Sequence, residues 1–275
     1  MDQVAPGVRD LQVRAILEGL RPELDPDQNL SQMQLVLKRN SNVHGSLQNG
    51  DHLRRCIERW FNEQASSLLI VRVAIRFKIM AKTILVDLIR ALQSSIRSTF
   101  FVLPKATFRT RTDCSILLVT WIKAIIHQVM NRNPNFLSRS SEQLQTVQYC
   151  TDHSPGEWMH LLGQLLASLP QPRSCLVLDT IDLYEQYHDA PDTFQSLIDL
   201  FKGLMESVRT AQGYMKVFIL YYGSSPHSRS SEGSQAQELT CSLQYRPVSP
   251  KLRAKQASKT TAQRIRLQRV VRKTS

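Results

Sequence analysis

No apolar run in the chain approaches the length of a membrane-spanning helix, which sets aside an integral helical membrane protein. The first ten residues, MDQVAPGVRD, carry neither the basic end nor the apolar stretch of a secretory signal, so the expectation is a cytoplasmic protein. Cysteine is scarce: five residues, odd in number and widely spaced with no C-x-x-C, which fits reduced thiols and excludes both a disulfide framework and a zinc ribbon. The seven histidines form no metal-ligand pair on a helix. With no G-x-S-x-G and no Cys-His signature, hydrolase chemistry has no support. Acidic residues are missing altogether from residues 246–275, which hold ten Lys/Arg. The other 245 residues therefore carry 25 basic against 23 acidic groups, so the net charge of +12 belongs to a tail and the body is nearly neutral. A tail of that composition reads as solvated or disordered. It would bind nucleic acid or an anionic membrane surface if it binds anything, which opens a nuclear location too. It has no aromatic residue after Tyr245 for base stacking.

What is present is enough apolar residue, 42% of 275, to bury a full core. The first sixty residues predict helices at Val8 to Leu20, at Leu30 to Leu37 and at Leu53 to Phe61, separated by the Asp25-Pro26-Asp27 break and the polar stretch from Ser41 to Asp51. Apolar runs at Leu68 to Val73, Thr99 to Leu103, Ser174 to Asp179 and Lys216 to Tyr222 predict four strands. Helical spacing fills the gaps between them: a helix after Lys82, then Ile116 to Met130, Ser138 or Ser141 to Cys150, Ser154 to about Leu169 behind a capping box with proline, and Asp192 to Arg209. Strands that alternate with helices pair in parallel. Trp60, Trp121 and Trp158 sit at helical spacing among apolar neighbours and are expected in the core. Beyond Ser228 no element is assigned, apart from a weak helix from Ala262 to Arg272.

Glycine is missing where it would matter most. The phosphate-binding pattern G-x-x-x-x-G-K-[ST] uses glycines so that backbone amides can wrap phosphates, while Lys and Ser/Thr meet phosphate and magnesium. Laid on the first strand and its helix, the frame falls on residues 76–83: Arg76 and Ala81 stand where the glycines belong, and Lys82-Thr83 closes it. A lone Lys-Thr is weak evidence. The second half of the signal is Cys175-Leu176-Val177-Leu178-Asp179, an apolar strand that ends in the carboxylate such sites set beside Mg²⁺.

The order of an aromatic-bearing helix (Arg59-Trp60-Phe61), an apolar strand into a Lys-Thr helix, LVDLI downstream, then CLVLDTIDLYE and KVFILYYGSS resembles the nucleotide-binding module of NACHT-type STAND ATPases, in the eroded form found in filamentous-fungal proteins. The resemblance covers about Leu53 to Pro226. It implies a three-layer α/β fold, a P-loop NTPase-like parallel sheet with helices on both faces. The implied organisation is a helical segment over 1–52, the degenerate domain over 53–226 and the basic tail over 227–275.

Carried over by position, Lys82 would hold phosphate, and Thr83 with Asp179 would hold magnesium. Asp182 would be the catalytic acid that orients water, with Arg76, Lys78 and Ala81 completing the ATP-binding loop. The stretch after the last strand reads Gly223-Ser224-Ser225, where relatives often place an arginine, so that role is vacant. Side-chain charge from Arg72, Arg76 and Lys78 is a poor substitute for fixed amide donors. The expectation is a switch or scaffold that works through protein partners, with weak or absent binding of ATP and Mg²⁺. A slow Mg-dependent ATPase is the alternative, and nucleic-acid or anionic-surface binding through 246–275 is the second.

Overall fold

A computed structural model describes residues 6–23, 25–39, 46–47, 50–96, 98–104, 113–133, 149, 151–170, 173–187, 191–223, 237–243 and 245–246. The helix expected to end at Cys150 and the weak helix from Ala262 lie outside them, as do residues 247–275. Five strands, β1 (Ser67–Val73), β2 (Thr99–Val102), β3 (Arg173–Asp179), β4 (Tyr214–Tyr222) and β5 (Gln237–Leu243), form one sheet in the order β2-β3-β4-β1-β5, with every pairing parallel. A two-residue antiparallel ladder joins Ser46–Leu47 to Tyr245–Arg246. Eight helices are described: α1 (Pro6–Gly19), α2 (Pro26–Arg39), α3 (Gly50–Asn62), α4 (Lys78–Ser95), α5 (Cys114–Arg132), α6 (Pro155–Ala167), α7 (Ile181–Tyr187) and α8 (Pro191–Thr210).

The near-continuous apolar strands follow from burial on both faces, which parallel sheets require. Side chains of alternate residues feed two cores. Leu68, Ile70, Leu176, Leu178, Val217 and Ile219 meet α1, α5, α6 and α8 on one face. Leu69, Val71, Cys175, Val177, Phe218 and Leu220 meet α2, α3 and α4 on the other. The layers are therefore helix, sheet, helix. The chain crosses from β1 to β2 by α4 on one face and steps back from β2 through β3 to β4 by helices on the opposite face, so all three crossovers share one hand.

Several local signals do what their chemistry dictates. Ser154 and Glu157 close a complete capping box at the start of α6, with Pro155 in its first turn. Asp113 caps α5 by accepting from the Ser115 amide at 2.9 Å. Trp60, Trp121 and Trp158 are all buried, as their spacing predicts. The exposed edge of β2 is sealed by Gln128 of α5, which donates to the Phe101 carbonyl at 2.8 Å and accepts from its amide at 3.2 Å. That side chain imitates a sixth strand and removes a template for edge pairing.

The N-terminal helices belong to this architecture, one in each core. Ile16 of α1 and Leu20 just beyond it enter the first core, and Leu30 of α2, fully buried, enters the second. Asp27 fixes the crossing by accepting from Gln93 of α4 at 3.0 Å and pairing with Arg132 of α5 at 3.4 Å. Inside 227–275, expected to be a basic tail without a strand, β5 forms at Gln237–Leu243 and joins the sheet beside β1.

Candidate functional site

Three strands end side by side, β3 at Asp179, β4 at Tyr222 and β1 at Val73. The chain leaves β1 toward one edge of the sheet and leaves β3 toward the other, and such a parting at carboxyl ends is where open α/β sheets bind ligands. Asp179 is the last residue of β3 and has no exposed surface. Its Oδ1 accepts from the Ile181 amide at 3.2 Å, while Oδ2 has no hydrogen-bond partner. Burial pushes the carboxyl up to about 6, against the opposing pull of the Lys82 charge, the Ile181 amide and Tyr222. The buried Tyr222 hydroxyl is itself driven upward, first by burial and then by the Asp179 charge. The two groups face each other across the ends of β3 and β4, yet neither Asp179 Oδ2 nor Tyr222 Oη reaches hydrogen-bond geometry.

The lysine of the first motif and the aspartate of the second thus act on one another from α4 and β3. The loop between β1 and α4 is a different matter. Instead of an open cradle, a 3₁₀ turn over Ile75–Phe77 runs directly into α4 at Lys78, with the Phe77 amide donating to the Ala74 carbonyl at 2.8 Å and the Lys78 amide to Ile75. Lys82 and Thr83 are placed in the second turn of α4, where the expectation was a helix beginning at that pair. Their amides therefore close on the carbonyls of Lys78 and Ile79.

The other expected residues scatter around this helix. Arg76 is exposed, with its guanidinium 4.7 Å from the centre of the Phe77 ring. Lys78 reaches Glu185 of α7 at 3.5 Å, both half-exposed. Ala81 is buried in the second core, so its Cβ packs against the sheet and does not border a ligand path. The Thr83 hydroxyl is exposed and donates to the Ile79 carbonyl of its own helix at 3.0 Å. Asp182, 4% exposed, lines a cleft at the carboxyl end of β2. The fit to ATP and Mg²⁺ is poor: the Phe77 and Lys78 amides are in turn bonds, those of Lys82 and Thr83 are in helical bonds, and the Thr83 proton is engaged away from Asp179.

Two participants were invisible in the sequence. Tyr222 reads as one more apolar strand residue, and only the register, which sets it two positions past the partner of Asp179, brings it to the carboxylate. Glu185 sits in a short helix that carried no signal of its own, although its charge bears on Asp179 and Tyr222 alike. No family model matches the chain, and no curated protein matches it, so geometry alone carries the assignment.

Proposed function

We propose that the chain is a P-loop NTPase-like domain whose phosphate cradle has been replaced by helix, and that it serves as a scaffold or switch through contacts with other proteins. The Lys82 charge, carried by the helix that follows β1, acts on Asp179 at the end of β3 with only β4 between those two strands, and this supports the kinship. One observation carries the loss of nucleotide chemistry: α4 begins at Lys78, four residues ahead of Lys82, so the Lys82 and Thr83 amides that would meet a phosphate are bonded within the helix. Catalysis of phosphoryl transfer is almost entirely positioning and electrostatic stabilisation by fixed donors.

Titration of the protein with ATP in the presence and absence of Mg²⁺, beside Lys82→Ala, tests this. The expected result is no saturable binding by either protein. Saturable binding that Lys82→Ala abolishes would restore the slow-ATPase alternative. The tail carries a second reading on its charge, ten Lys/Arg without one acid over 246–275, as a phosphate-binding segment. Removing residues 247–275 should then weaken DNA or anionic-vesicle retention at low salt, and unchanged retention would dispose of that role.

A further inference from the structure

No two histidines pair on a helix, but α3 pairs a histidine with a cysteine. His52 and Cys56 stand four residues apart, the spacing that sets two side chains one turn from each other on a single face. Leu53, Ile57, Trp60 and Phe61 turn the opposite face of α3 into the second core, which leaves His52 exposed and Cys56 half-buried. His52 Nε2 and Cys56 Sγ lie 3.6 Å apart. That contact serves as a hydrogen bond between imidazole and thiol, and it has the dimensions of a metal chelate as well. Zinc bonds of about 2.05 Å to nitrogen and about 2.3 Å to sulfur, set at the tetrahedral angle, span an edge of about 3.6 Å. A linear nitrogen–metal–sulfur arrangement with the same bonds needs about 4.4 Å, which the pair does not offer.

We propose that His52 and Cys56 bind one Zn²⁺ per chain, through Nε2 and the thiolate Sγ, with water in the two remaining positions. Imidazole and thiolate are both ligands that zinc prefers, and paired donors at this helical spacing are a recurring way to hold it. The thiol proton leaves to solvent as the ion binds. Among the described residues no third His, Cys, Asp or Glu joins the pair, so the site is open on its outer side. Arg55 and Arg59, each three residues beyond one of the two ligands and both exposed, add positive charge that works against a dication. Half the ligand set of a closed structural site, set against that charge, gives a midpoint of roughly tens of micromolar.

The test is a titration of the reduced full chain with Co²⁺, which reports a thiolate ligand by a charge-transfer band in the near ultraviolet, followed by displacement with Zn²⁺. The expected result is a band that saturates at one equivalent and disappears when zinc is added. Cys56→Ser should abolish the band, and His52→Gln should weaken cobalt and zinc binding at least tenfold. Both substitutions lie on the outer side of α3 and leave its core residues in place. Cys114→Ser, which removes a half-buried thiol on α5, should change neither the band nor the midpoint. No band, or a band that survives Cys56→Ser, overturns the proposal. Undiminished affinity in His52→Gln overturns it too and reduces the contact to a hydrogen bond. Saturation at half an equivalent overturns the two-water shell and gives those positions to a second copy of the chain.

Discussion

Two ionisable groups are buried on the same face of the sheet, at opposite ends of its strands, and they are treated very differently. At the amino end, Lys216 of β4 has no exposed surface, and its ammonium donates to the Ala65 carbonyl and the Ser67 hydroxyl, both at 2.8 Å. Around it the neighbouring groups are bonded too, with the Arg173 Nε as the exception. Trp60 donates to the Ser67 carbonyl at 3.0 Å, Ser66 accepts from the Met215 amide at 3.0 Å, and Arg173 donates to the Phe61 carbonyl at 2.7 Å while stacking 4.2 Å from that ring. At the carboxyl end, Asp179 is as deeply buried but keeps one oxygen unbonded, opposite a tyrosine hydroxyl that is unbonded too. Burial alone does not mark a site. A buried charge held by hydrogen bonds from the surrounding chain is a fastening, whereas a buried oxygen left without one is a cost that folding does not require.

The comparison breaks most sharply at the fastening. Lys216→Ala should destabilise the fold by about 4 kcal/mol, because it leaves the buried Ser67 hydroxyl and the Ala65 carbonyl without their donor and opens a void. Urea unfolding at neutral pH measures it. Asp179→Asn should act in the opposite direction and stabilise by about 3 kcal/mol at pH 7, the worth of a carboxyl raised from 3.8 to about 6. Because the folded carboxyl binds its proton more tightly than the unfolded one, stability falls as pH rises from about 4 to about 6 and is level above. The substitution should flatten that slope, which urea midpoints across this range will show. Lys216, held down to about 8 by burial, gives stability that rises as pH climbs from there toward 10.5.

Smaller effects sharpen the same contrast. Ser67→Ala should cost about 1.5 kcal/mol, since the Lys216 ammonium loses an acceptor. Tyr222→Phe, which removes a hydroxyl outside hydrogen-bond geometry and with it a weak pull on Asp179, should stay within about 0.5 kcal/mol of wild type. Thermal melts of the two proteins, run side by side, distinguish a bonded from an unbonded polar group. Least of all, Lys78→Ala removes a half-exposed ion pair with Glu185 and should shift stability by no more than about 0.5 kcal/mol, less still in high salt.

Much of the sheet was legible because both-face burial writes itself into composition. Leu68 to Val73 and Lys216 to Tyr222 are continuous apolar runs, and β1 and β4 fall on them within two residues. The edge strand β5 escaped notice, since Gln237-Glu238-Leu239-Thr240-Cys241-Ser242-Leu243 alternates polar and apolar residues within a polar neighbourhood. Its parallel pairing to β1 is set by the sheet and has no local signature. The site divides the same way. Lys82 and Asp179 could be paired from motif spacing, but the extent of α4 could not. Residues 78–82, Lys-Ile-Met-Ala-Lys, are good helix formers, and with no glycine or proline to stop it the helix extends back through the place the motif reserves for a loop. Tyr222 and Lys216 gain their meaning only from register, which brings residues far apart in sequence to the same strand ends.

Whether that extended helix truly closes the phosphate site is decided by hydrogen exchange at the amides of residues 74–83, with and without saturating Mg-ATP. Amides of Ala81, Lys82 and Thr83 should be protected as helical amides are, and nucleotide should leave the whole segment unchanged. Fast exchange at these amides in the free protein, with protection appearing only when Mg-ATP is added, would mean that the cradle is open and would contradict the account.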